Sequence, residues 1–178
     1  MLGASGCSRP SGPGSEAATL TSPAQTQPFG YSFENTRPGA TYLFGGLELC
    51  TDKVAPATVT KVEVQNSTGG LTISDFATRL RHAGQNWTTV GNADGPLDEF
   101  TWADPDSPTV TGTCTEGREP VGPTELMIEL SKTAAGSAVG GPLTVTYESG
   151  GATAQITLQM TVALCSDTGP TVDACRGL

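Results

Sequence analysis

The sequence predicts an all-β protein, a sandwich of antiparallel sheets built from about 7–9 short strands behind a disordered N-terminal tail. Three observations predict it. Apolar residues alternate with polar ones at a period of two in several runs, the mark of half-buried strands. Gly and Pro number 23 and 13 among the 178 residues, and together with Asn and Asp they fall between those runs, where tight turns need them. Charged residues make up only 15% of the chain. Thr, Ser, Ala and Gly take their place, and stretches rich in Leu, Glu and Lys, which build helices, are missing.

The elements follow in order. Ser8 to Gln27 is rich in Ser, Pro, Gly, Thr and Ala, with one acid (Glu16) and one base (Arg9). Such a segment has too little apolar surface to fold, so residues 1–28 are expected to be a flexible linker and residues 29–178 the domain. Tyr42 to Cys50 reads as a strand interrupted at Gly45-Gly46, as at a bulge. Val62 and Val64 alternate with Lys61, Glu63 and Gln65. Asn66 to Gly70 then turns into Leu71-Thr-Ile73, and the alternation carries a strand on through Asp75 to His82 rather than into a helix. From Ala83 to Gly112 the pattern fails. This stretch is either a functional loop or a pair of short strands, since long structureless loops are uncommon in compact domains. Leu126, Ile128 and Leu130 form another strand, with Glu125, Glu129 and Ser131 on its polar face. Leu143, Val145 and Tyr147 alternate, Ser149-Gly150-Gly151 makes a hairpin turn, and Ile156, Leu158, Met160, Val162 and Leu164 form a last strand. Short strands separated by turn signals fit an immunoglobulin-like sandwich.

The stretch Ala4-Ser5-Gly6-Cys7 resembles the lipobox of bacterial lipoproteins. The resemblance implies that Cys7 is acylated, that the linker is a tether, and that the domain stands outside the cytoplasm, lipid-anchored at the cell surface or secreted. It also implies a membrane partner through that anchor. Six residues precede Cys7, too few for the basic start and apolar run of a signal peptide, so an upstream extension is expected. Ala4 also stands where the family prefers Leu. The order of segments over roughly residues 38–165 is similar to that of exported bacterial proteins of unknown function. They carry a Gly-Gly-containing strand ending Leu-Cys, here Leu47-Glu48-Leu49-Cys50. A Val-rich hairpin follows, here Thr58 to Leu80, and a last strand ends Leu164-Cys165. That resemblance implies a fold and a compartment and no activity.

Lys plus Arg is 9 and Asp plus Glu is 18, for a net charge of −9. The basic residues are scattered, so the positive footprint that a phosphate backbone or an anionic membrane requires is absent, and nucleic acid is not an expected partner. No Gly-x-Ser-x-Gly elbow accompanies His82, the one histidine, and no enzyme active site is expected. No cofactor and no metal site is expected either. No two cysteines stand at C-x-x-C spacing, and Asp94, Asp98, Glu99, Asp104 and Asp106 do not follow the EF-hand order. If the domain binds a ligand, protein or carbohydrate, the loop from Ala83 to Gly112 is the expected site, because sandwich-end loops carry function on a rigid frame. Trp87 and Trp102 in that loop are either core anchors or stacking surfaces for a sugar. The alternatives to a binding module are a structural envelope subunit without a ligand and a small hydrolase using the loop carboxylates.

Five cysteines remain to be assigned. With Cys7 set aside, four allow three pairings. Cys165 and Cys175 are close in sequence, and Gly169-Pro170 can turn the tail back between them. The expected pairs are therefore Cys165–Cys175 and Cys50–Cys114, with Cys50–Cys165 plus Cys114–Cys175 as the rival.

Overall fold

The computed structural model describes residues 16–53, 55–82, 92–99, 108–114, 121–168 and 172–176. Twelve strands run through them: β1 (Leu20–Thr21), β2 (Phe29–Phe33), β3 (Thr41–Thr51), β4 (Ala57–Val64), β5 (Thr72–His82), β6 (Asn92–Asp94), β7 (Thr109–Val110), β8 (Val121–Ser131), β9 (Ala138–Gly140), β10 (Leu143–Ser149), β11 (Ala152–Leu158) and β12 (Met160–Leu164). The count exceeds the 7–9 expected because β1, β6, β7 and β9 have only two or three residues each, too few to show a periodic pattern. Three single-turn 3₁₀ segments, Pro23–Gln25, Leu97–Glu99 and Asp173–Cys175, complete the described elements.

One sheet has the order β1-β3-β8-β5, with β6 also paired to β3, and a second has the order β11-β10-β4-β7. Lettered as in immunoglobulin domains, these are A-B-E-D facing G-F-C, with the two-residue β7 added beside C. β12 leaves the second sheet to pair parallel with β2 and antiparallel with β9. The two inner faces meet in one core. Leu47, Leu49, Leu126, Ile128 and Leu130 come from the first sheet, and Val59, Val62, Val145, Tyr147, Ile156 and Leu158 from the second. Alternating residues on each strand supply this layer, as a two-sheet stack requires.

Several expectations are met in detail. The register of β3 against β8 shifts between Phe44 and Leu47, where Gly45-Gly46 interrupts the apolar run. Gly150 and Gly151, at φ of 57° and 80°, form the two-residue turn between β10 and β11, the left-handed pair that suits the twist of a hairpin. Asp75 to His82 lies within strand β5. Cys50 is bonded to Cys114 and Cys165 to Cys175, with Cα separations of 5.3 and 5.8 Å.

Other expectations are corrected. The domain begins before residue 29. Leu20 is fully buried, and Leu20 and Thr21 pair with Thr51 and Cys50. Ser22 then caps the Pro23–Gln25 turn: its hydroxyl accepts from the Ala24 N–H, and the Gln25 side chain accepts from the Ser22 N–H. One leucine and a capping box thus dock a segment whose composition reads as linker. Thr58 to Leu80 is not a hairpin either. β4 pairs with β10 and β7, and β5 pairs with β8, so the chain crosses between sheets there. Period-two alternation shows which face of a strand is buried and leaves its neighbour open. The last strand divides at Gln159, whose N–H donates to the Ala24 carbonyl at 2.6 Å and whose carbonyl accepts from the Phe29 N–H at 3.1 Å. The alternation continues unbroken across that division, because both halves bury the same side.

The Glu125 and Glu129 face of β8 is covered. Leu97 packs there with Leu43, Ala77 and Met127 as a small second core, against which Ala93 lies partly buried. Glu125 is 0% exposed and meets Arg79 of β5, its Oε2 2.5 Å from Nη2 and 3.0 Å from Nε. Glu129 accepts from the Ser74 hydroxyl at 2.6 Å and from the Leu97 N–H at 2.7 Å. Two buried carboxylates thus keep hydrogen-bond partners, which burial of a charge requires.

Candidate functional site

The turn from Glu34 to Ala40 joins the end of β2 to the start of β3, and four hydrogen bonds fix it. The Thr36 N–H and hydroxyl both donate to the Cys165 carbonyl at 2.7 Å. The Arg37 N–H donates to the Tyr42 Oη at 2.7 Å, and the Gly39 N–H to the Lys132 carbonyl at 2.9 Å. Gly39, at φ +72°, adopts a left-handed conformation open to glycine without strain. Pinned at Cys165, Tyr42 and Lys132, the turn is a rigid rim.

Beside this rim β6 pairs with the start of β3. Asp94 stands opposite Tyr42 in the β3–β6 pair, and the Gly95 N–H donates to the Thr41 carbonyl at 3.1 Å. Between rim and β6 opens a cleft of 660 Å³, lined by Glu34, Asn35, Arg37, Tyr42, Asp94 and Gly95 among others, a volume within the range of small-ligand sites. On the far side of Asn35 and Arg37 a second hollow of 430 Å³ reaches Ala135 and Ser166 to Thr168. The Asn35 side-chain amide lies against both carboxylate oxygens of Asp167, at 2.7 and 2.8 Å, and donates to them in the orientation that turns its nitrogen toward the carboxylate. Arg37 is exposed, and its guanidinium has no ion-pair partner among the described residues.

Lys132 lies behind the rim and is 1% exposed. Its ammonium donates to the carbonyls of Gly136 at 2.9 Å and Leu164 at 3.4 Å. Burial holds it below the ordinary lysine range.

The expected ligand loop is placed in part. Asp94 lines the cleft; Asp98 and Glu99 are exposed on the Leu97–Glu99 turn, with the Glu99 carboxylate over Gly95. Trp87, Trp102, Asp104 and Asp106 lie outside the described residues, as does Cys7. Glu34, Arg37 and Tyr42 were not singled out from the sequence. The available signal was the turn composition Asn35-Thr-Arg-Pro-Gly39 between two aromatic strands, which marks a loop without marking a cleft. Among the described residues no three His, Cys, Asp or Glu side chains converge to hold a metal ion, and no helix is long and apolar enough to cross a membrane. A smaller groove of 180 Å³, lined by Pro23, Phe29, Gly46 and Leu47 among others, runs beside the Pro23–Gln25 turn. Phe29 there is 38% exposed.

The chain enters the fold at the other end. The Thr19 N–H donates to Asp52 Oδ1 at 2.8 Å and the Ala18 N–H to Ser149 Oγ at 2.9 Å. The bond from Thr19 holds the Asp52 carboxyl below its usual range. β3 runs from the cleft at Thr41 to this entry point at Thr51, so about 30 Å of strand separates them, at the rise of an extended chain.

The immunoglobulin-like sandwich and its rim cleft define the class, an all-β domain whose disulfides are consistent with an oxidising, extracytoplasmic compartment. No protein-family model matches the chain, and no curated protein matches it in sequence.

Proposed function

We propose that this chain is an extracytoplasmic binding module, tethered to a membrane through a lipid on Cys7, that presents the Glu34–Arg37–Asp94 cleft to a protein or carbohydrate ligand. One observation carries the reading: the N-terminal segment joins the sandwich at the Thr51 end of β3, and the cleft opens at the Thr41 end. A domain tethered from its N-terminus then carries that cleft at the end remote from its attachment, where a ligand can reach it. Two disulfides and a rim fixed by hydrogen bonds supply the rigid frame on which binding loops work.

The test is differential capture from cell-envelope extracts, with the domain and its Glu34→Gln/Asp94→Asn variant as paired baits. Both positions are exposed, so the variant is expected to fold. The reading predicts a component held by the unaltered domain and lost by the variant. Equal capture by both baits, or capture by neither, counts against it.

A further inference from the structure

Resting on that reading of the cleft, we infer that its ligand is zwitterionic: a free amino acid or short peptide that brings an ammonium to Glu34 and Asp94 and a carboxylate to Arg37. The inference starts from opposite charges that line one cleft without pairing. Glu34 and Asp94 line the same cleft as Arg37, yet neither carboxylate is paired with that guanidinium. Among the described residues Glu34 has only a long hydrogen bond from the Ser32 hydroxyl, at 3.4 Å. Elsewhere neighbouring opposite charges do close on one another, as Lys61 and Glu63 do at 2.8 Å. In this cleft no such closure is seen. Arg37 is held at its own N–H by Tyr42, and Asp94 by the pairing of β6 with β3.

A cleft with unneutralised charges of both signs favours a ligand carrying the complementary pair, because a ligand of one sign leaves the other group unmatched. The planar guanidinium accepts a carboxylate in a two-pronged geometry, and Arg37 has its fork uncommitted among the described residues. A volume of 660 Å³ admits an amino acid or a di- or tripeptide. Two carboxylates against one guanidinium further favour a ligand with a second cationic group.

The probe is the dipeptide Lys-Ala, titrated into the isotopically labelled full chain and followed by NMR, alongside its N-acetylated and C-amidated forms, free lysine and N-acetylglucosamine. The expected result is saturable shifts at Arg37 and Asp94 with Lys-Ala, about tenfold weaker binding when either end is capped, and weakening with added salt. Free lysine and the dipeptide, compared directly, separate the amino-acid source from the peptide source. Arg37→Gln, with its fold verified by an otherwise unchanged spectrum, should abolish the effect of the C-terminal cap. Equal binding of capped and uncapped forms overturns the inference. Shifts in the cleft with the sugar and none with the dipeptide overturn it too, while leaving the cleft as a binding site. Cleft signals unmoved by every probe overturn both.

Discussion

The Leu97 N–H donates to the Glu129 carboxylate over 2.7 Å, and this bond fastens the Leu97–Glu99 turn to the outer face of the sheet. Among the described residues Glu129 is the acceptor for that buried donor, so Glu129→Leu should cost about 2 kcal/mol, the penalty for an orphaned buried group. The specific readout is hydrogen exchange. The Leu97 amide should lose protection in Glu129→Leu, while core amides such as those of Ile128 and Leu158 lose only what the global destabilisation takes. Unchanged exchange at Leu97 would show that the apolar contacts alone hold the segment.

Arg79 and Glu125 offer a different kind of test. Removing the arginine leaves a carboxylate in a fully buried position, so Arg79→Met should destabilise by about 3 kcal/mol. Replacing both charges, as in Arg79→Met/Glu125→Leu, should recover most of that loss, because apolar residues can fill the same face beside Met127 and Leu97. Denaturant unfolding of the two variants gives the order directly. A double variant less stable than Arg79→Met would mean that the charges themselves stabilise the sheet.

Lys132 makes stability depend on pH at the alkaline end. Its folded value lies below the ordinary lysine value because the ammonium is buried, so the unfolded chain holds this proton more tightly. Stability should therefore rise with pH between the folded value and about 10.5, and the contribution should be lost as pH falls through the folded value. Tyr31 works the other way. Burial raises its value, so its contribution is lost as pH climbs above the ordinary tyrosine range. The difference between the unaltered chain and Lys132→Met isolates the lysine. The variant should lack the rise, and at neutral pH it should be at least as stable. A variant with the same pH slope would place that slope elsewhere.

The disulfides should contribute unequally. Cys50–Cys114 closes 64 residues and Cys165–Cys175 closes 10. By chain entropy their removal costs about 4 and about 3 kcal/mol. Cys165→Ser/Cys175→Ser should in addition loosen the rim, because the Cys165 carbonyl accepts both bonds from Thr36. Chemical shifts of Thr36 and Arg37 report this. Unaltered shifts would make the bridge a clamp on the tail alone.

The architecture was legible in the sequence wherever a strand has one dry face. Leu126, Ile128 and Leu130 announce β8, and Ile156 through Leu164 announce the last two strands. What alternation leaves open is partnership. Nothing in Val62 or Ile73 says that one belongs to each sheet, and nothing in Gln159 says that the chain changes sheets there. Leu20 was missed because a single buried leucine in a Ser- and Pro-rich run has no period. Glu129 was read as an ordinary polar-face residue, since a carboxylate buried by a distant segment looks the same in sequence as one facing water. The cleft was legible only through Asp94. Its other wall, Glu34 to Arg37, is brought there by β2 lying parallel beside β12, a long-range pairing with no local signature.

The placing of the cleft at the end remote from the membrane rests on Cys7, because it requires that the chain be held at its N-terminus. Mass spectrometry of the protein isolated from its native membrane tests this directly. The expected result is a mature chain that begins at Cys7 and carries acyl groups. A longer, intact chain with an unmodified residue 7 would contradict it.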